Sequence, residues 1–227
     1  MDARPEKLLT LVIDHYVETA EPVGSKFLVD KGNLEWSEAT VRNELRALEE
    51  AGYLTHPHTS AGRIPTQQGY QYYIERLDLA AAEATKAAEK KLLSVLETIA
   101  DYEQARKGIA KALVELADQT VMVAFSPDKV YYTGLSNLFQ KPDFAEMNLV
   151  ADISAMFDRC EEALGGFSPR VTDIQYFIGT EHPFGHLLSV LAIRFGKDNQ
   201  SLLLMLGPQR MDYYKNWGLM KKVKELI

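Results

Sequence analysis

The chain has 227 residues, 46% of them hydrophobic and 25% charged, enough apolar surface for one large core or two small ones. A formal net charge of −7 and a pI near 5.3 argue against a protein that coats nucleic acid non-specifically, while leaving room for a local basic face. The lone Cys160 excludes a disulfide framework within the chain, and no apolar run reaches the length of a membrane span.

Residues 6–18 carry Leu8, Leu9, Val12, Ile13 and Tyr16 on one stripe, which predicts an amphipathic helix with Pro5 near its first turn. The run AEPVGS then breaks it. Ser25 is expected to cap a short second helix that runs through Leu28 and stops by Gly32. A third helix reads from Ser37 to Ala51: Ser37 caps it, Gly52 ends it, and Val41, Leu45 and Leu48 face inward. YLTHPH and AGRIPT form two extended pieces around a tight loop, because residues before proline favour extended backbone. A helix restarts at Thr66, with Tyr70, Tyr73, Ile74 and Leu77 on one face.

Beyond Leu77 the chain turns Ala/Glu/Lys-rich. DLAAAEATKAAEKKLL reads as the start of a helical linker and dimerisation region over 78–118. Leu92, Leu96 and Ile99 form one apolar stripe; Ile109, Leu113 and Leu116 form another beyond an expected break at Gly108. Both are candidate contacts with the following domain or with a second copy. QTVMVAF, TDIQYFI, LSVLAIRF and SLLLMLG are apolar runs bounded by turn formers, hence strands, with DNQ at 198–200 as a hairpin. Residues 144–164 and 212–227 have helical periodicity. The expected class is α+β with a mainly antiparallel sheet and segregated helices, divided into 1–77, 78–118 and 119–227.

Three short helices followed by two extended pieces and a loop is the order of a winged helix-turn-helix. Its third helix enters the major groove, and its β-loop lies along the neighbouring backbone or minor groove. With Val41, Leu45 and Leu48 inward, steps of about 100° turn Ala39, Asn43, Arg46 and Glu50 outward, with Thr40 and Arg42 at the flanks. Asn reads adenine and Arg reads guanine bidentately, while hydroxyls such as Ser25, Ser37 and Thr40 hold phosphates. In the loop, His58, Thr59, Ser60, Gly62 and Arg63 offer donors and close backbone approach to a phosphate track or narrow groove. Pro57 and Pro65 stiffen it.

Each of these residues also has a plainer reading. Ser37 serves as a cap, Tyr70 and Tyr73 as core aromatics, and Arg42 as the partner of Glu38 or Glu49. Residues 1–77 hold eight basic side chains against twelve acidic ones, so a winged-helix protein-interaction module stands as the second reading. An enzyme is not expected: the chain has no P-loop, no GxSxG and no dinucleotide fingerprint. His182 and His186 are separated by Pro183 and Gly185 and lack a third ligand, so they read as loop histidines, with no metal or cofactor. Cys160 sits in a helical run as a packing residue. MDARPEKLLT lacks a signal pattern, and the expected location is cytoplasmic.

EPVGSKFL (21–28), SEATVRNELRALEEAGYL (37–54) and HPHTSAGRIPTQQGYQYYIERL (56–77) resemble the HrcA family, the heat-inducible transcription repressors of bacteria. TGLSNLFQKPDF (133–144), IGTEHPF (178–184) and LGPQRMDYYK (206–215) are similar to that family's later domain, a degenerate GAF-like sensor. The resemblance implies repression of chaperone operons by a homodimer on an inverted-repeat operator in double-stranded DNA. It also implies that the GroE chaperonin helps keep the repressor active. The chain departs from the pattern where LADQTVMVAFSP runs almost directly into YYTGLSNLF. Usual members carry further GAF-like strands and an inserted dimerisation segment there, so this chain reads as a compact variant. A regulator that binds a small ligand in its GAF-like domain is a third reading.

Overall fold

The computed structural model describes residues 1–32, 34–57, 62–196 and 199–227. The chain divides into two compact units, Met1–Leu77 and Asp78–Ile227.

In the first unit the order is α1 (Ala3–Thr19), α2 (Ser25–Lys31), α3 (Glu38–Glu50), β1 (Leu54–Thr55), β2 (Ile64–Pro65) and α4 (Gln67–Ile74). The apolar stripes set the packing: Leu8, Leu9, Val12 and Ile13 of α1 and Val41, Leu45 and Leu48 of α3 are buried, together with Leu28, Leu54 and Tyr70. Ser37 caps α3 by accepting the Thr40 N–H at 3.2 Å, which satisfies one of the helix's orphan donors. Gly52 ends α3 with a φ of +83°, a left-handed conformation that glycine adopts without steric cost. β1 and β2 pair antiparallel, Leu54 opposite Pro65 and Thr55 opposite Ile64. Ser25 is not a cap. Gly24 holds that position, and the Ser25 hydroxyl donates instead to Glu38 Oε1 at 3.2 Å.

The second unit contains α5 (Lys86–Thr98), α6 (Tyr102–Ala117), β3 (Thr120–Ser126), β4 (Lys129–Thr133), α7 (Leu135–Phe139), α8 (Met147–Asp158) and α9 (Cys160–Phe167). β5 (Gln175–Ile178), β6 (Leu188–Phe195), β7 (Ser201–Pro208) and α10 (Tyr213–Leu226) complete it. Five strands form one antiparallel sheet in the order β4-β3-β7-β6-β5, so the fold class is α+β.

Alternation along the strands explains why the sheet is buried on both faces. Met122, Val190, Leu202, Leu204 and Leu206 join a cluster with Leu138, Phe144, Phe157, Leu164 and Phe167 from α7 to α9 and the turn before α8. Val121, Val123, Leu191, Ile193, Leu203 and Met205 join the opposite cluster with Leu92, Ile109, Leu113, Leu219 and Val223 from α5, α6 and α10. Helices therefore cover both faces rather than being segregated to one.

Residues 78–118 lie within the second unit rather than between two units. Leu92, Ile109 and Leu113 are fully buried, with Leu96 and Leu116 packed beside them, so these stripes are spent on the sheet. The break expected at Gly108 falls instead before Tyr102, where Asp101 caps α6 by accepting the Gln104 N–H at 2.8 Å. A Cβ on Gly108 would stand 2.6 Å from Val95 Cγ1, so the absent side chain is what lets α5 and α6 close together. The short, half-exposed β4 follows a turn at Pro127–Asp128 and carried too little alternation to be expected. The segment 144–164 is interrupted twice, giving a 3-10 turn at Pro142–Phe144 and then α8 and α9. β6 and β7 form the expected hairpin, with Phe195 opposite Ser201; Asp198 of its turn lies outside the described residues. Among the described residues no helix is long and apolar enough to cross a membrane.

Candidate nucleic-acid interface

With its apolar row turned inward, α3 presents Arg42, Asn43 and Arg46 to solvent. The side chains of Arg42 and Arg46 are 70% and 76% exposed, and each already holds a carboxylate on its own helix. Arg42 Nη2 reaches Glu38 Oε1 at 2.6 Å, and Arg46 Nε reaches Glu50 Oε1 at 2.8 Å. Pairs of this exposure and spacing contribute only about 0.3–0.5 kcal/mol, so a phosphate or base edge can displace them. At the start of the helix, the Ser37 and Thr40 hydroxyls share a hydrogen bond of 2.9 Å. Ser25, half-buried, meets the same Glu38 carboxylate that holds Arg42. The alternatives for Arg42 thus resolve to Glu38.

The hairpin stem is tied down from several sides. Arg63, expected to reach outward, sits at the base of the loop with its side chain only 25% exposed. Its N–H donates to the Val23 carbonyl at 2.8 Å and its carbonyl accepts from the Val23 N–H at 2.9 Å. Its Nη2 lies 2.8 Å from Glu49 Oε2, and the same carboxylate meets His56 Nδ1. Gly62 lies against the backbone of Pro22 and Val23: a Cβ would stand 2.6 Å from Val23 N and C. Its close approach is therefore to the protein's own chain. His58, Thr59 and Ser60 lie outside the described residues.

The rest of the motif locks α4 in place. Thr66 donates its hydroxyl to the Gly52 carbonyl at 2.6 Å and accepts the Gly69 N–H at 3.1 Å. A side chain on Gly69 would collide with the Tyr53 carbonyl. Tyr70 is 2% exposed and Tyr73 donates to Asp14 Oδ1 at 2.7 Å, so neither stands free to stack on a base. Tyr72 donates to Glu6 Oε2 at 3.0 Å beneath the Arg76 guanidinium, and burial, with help from that bond, holds its pKa above the ordinary tyrosine value.

Glu38 and Glu49, expected from the sequence only as alternative partners of Arg42, organise the arginines. The four-residue spacing of Glu38 and Arg42 carried a local signal; nothing local pairs Glu49 with Arg63 or His56. In the second unit, His182 is a core residue. Its Nε2 faces the Leu188 carbonyl at 2.9 Å and its Nδ1 accepts the Phe184 N–H at 3.2 Å, which selects the neutral Nε2–H tautomer. Burial is the main cause that lowers its pKa to about 4. Among the described residues no group of three His, Cys, Asp or Glu side chains is placed to hold a metal ion.

Comparison with known proteins bears on both units. The heat-inducible transcription repressor HrcA of Acetivibrio thermocellus is 41% identical over 130 residues, which covers 57% of this chain and 36% of that protein. The protein of the same name from Mycolicibacterium gilvum is 42% identical over 124 residues, covering 55% and 36%. The alignments thus span little more than a third of each relative's length. A crystal structure described as that of a hypothetical protein at 2.2 Å resolution shares the fold, with a TM-score of 0.81 over 100% of this chain and 97% of that one at 18% identity. The family model described as the HrcA protein C terminal domain matches residues 74–216. That match covers well over half of the sequence, and the chain belongs to the HrcA family.

Proposed function

We propose that the protein is a transcriptional repressor of heat-shock genes, whose first unit is a winged helix-turn-helix that binds double-stranded DNA. The observation that carries this reading is the outward row of α3: Arg42, Asn43 and Arg46 stand exposed on a helix backed by Val41, Leu45 and Leu48 and followed by an antiparallel hairpin. In the proposal α3 enters the major groove, Asn43 and Arg46 meet base edges, and Ser25, Ser37, Thr40 and Arg42 meet the flanking phosphates. The loop residues His58, Thr59 and Ser60 track the neighbouring DNA backbone as the wing, with Gly62 and Arg63 at its root. The similarity to the heat-inducible transcription repressors of Acetivibrio thermocellus and Mycolicibacterium gilvum supports the repressor role.

Two such units are required on an inverted-repeat operator, so the repressor acts as a homodimer. Because Leu92, Ile109 and Leu113 are buried in the core of the second unit, the dimer contact in this reading is made by other residues. The second unit, a five-stranded antiparallel sheet with helices on both faces, is in this reading the degenerate GAF-like sensor, with GroE chaperonin sustaining its active state. A footprint on the DNA upstream of the host's chaperone genes tests the core of the proposal. Protection of an inverted repeat is expected; no protection, or equal affinity for scrambled duplex, overturns it.

A further inference from the structure

We propose that Glu49 is a positioning residue for DNA specificity: its single carboxylate holds both ends of the hairpin loop against α3 and withholds Arg63 from use as a free phosphate-binding cation. The proposal rests on the DNA-binding reading above. His56 directly follows β1 and Arg63 directly precedes β2, so these two residues bracket the loop. Both meet the Glu49 carboxylate, Arg63 Nη2 at 2.8 Å. The Glu49 and Arg63 side chains are 23% and 25% exposed, so water and salt screen this contact far less than they screen the pairs of Arg42 and Arg46. Arg63 Nε is buried without a hydrogen-bond partner, and the Arg63 backbone is bonded in both directions to Val23.

An arginine poised to grip a phosphate keeps its guanidinium edge in solvent; Arg63 has surrendered its own. What it gains is position. Glu49 lies three residues beyond Arg46 and six beyond Asn43, about 4.5 and 9 Å along the helix axis. The carboxylate therefore fixes the mouth of the loop within two turns of the side chains assigned to base edges. The stem of the hairpin is held at one distance from the recognition face, and a guanidinium that would bind any duplex is taken out of play.

The test compares Glu49→Gln in the parent and in an Arg63→Met background. The probes are an inverted-repeat duplex selected by the parent protein from random sequence and a scrambled duplex of the same composition. In the parent background, preference for the selected duplex should fall about tenfold, the discrimination of one base contact. Binding to the scrambled duplex should gain about one in salt slope as Arg63 is released. In the Arg63→Met background the same substitution should change the preference by less than about twofold, which a general loss of stability would not do. Without DNA, the Arg63 Nε–H resonance should be protected from water exchange in the parent and lose that protection in Glu49→Gln. An Arg63 resonance indifferent to Glu49, or a tenfold loss that persists in the Arg63→Met background, overturns the proposal. If the parent selects no duplex while the resonance still depends on Glu49, the DNA reading and the specificity role fall together, and only the hairpin contact survives.

Discussion

In the first unit, four carboxylates of α3 hold four arginines at or near the surface: Glu38 on Arg42, Glu44 on Arg4, Glu50 on Arg46 and Glu49 on Arg63. In the second unit the central strands β3, β6 and β7 are buried almost throughout and apolar on both faces, and their polar exceptions are few. The two units therefore place their stability and their chemistry differently. The first commits a small helical core to holding a polar surface in register. The second commits nearly everything to packing, with Phe167 edge-on to Phe177 and Phe184 at centroid distances of 4.7 and 5.4 Å. Substitutions in the second unit should be read out in stability, and substitutions on the first unit's surface in binding.

The largest expected effect lies in the second unit's core. Phe184→Ala empties a fully buried site and should cost about 3–5 kcal/mol, seen as a lowered thermal midpoint for that unit. Affinity for the selected duplex, measured well below that midpoint, should hold. A matching loss of affinity would break the proposed division of labour.

Acid should act on the same unit through His182. Its folded pKa of about 4 lies below the ordinary histidine value of about 6.5, so the unfolded chain binds the proton more readily. Stability from this residue is complete above pH ~6.5 and is lost as the pH falls towards 4, about 3 kcal/mol in all. Denaturant titrations across that window should show the loss in the parent and not in His182→Gln.

Gly62→Val sharpens the comparison from the other side. A side chain there meets the Val23 backbone, so the hairpin must move, at a cost of about 1–3 kcal/mol. The three-helix core should stay folded by circular dichroism while binding to selected and scrambled duplex both weaken.

Arg46→Ala should cost about 1–3 kcal/mol on the selected duplex and much less on scrambled DNA, with the thermal midpoint nearly unchanged. Isotherms at several salt concentrations measure it. If the variant binds both duplexes like the parent, the face assigned to base edges is wrong, and a protein-interaction module becomes the better reading. The smallest effect should be Arg42→Ala on stability: an exposed i,i+4 pair is worth about 0.3–0.5 kcal/mol, readable only in careful denaturant melts.

The inward row of α3, its Ser37 cap and its Gly52 stop were legible in the sequence because periodicity and capping are local properties, set within a turn or two of the residues that show them. Four of the five strands of the central sheet, all but β4, were legible for the same reason, as short apolar runs between turn formers. The family resemblance likewise rested on contiguous motifs. What only the tertiary structure decided were contacts between distant segments. Gly62 against Val23, Glu49 on Arg63 and His56, and Gly108 against Val95 leave no periodic trace, since each depends on where another part of the chain has folded. The same limit hid the fate of residues 78–118. An Ala-rich amphipathic helix looks alike whether its apolar stripe meets solvent, a second copy or a sheet, and here the sheet supplies the partner.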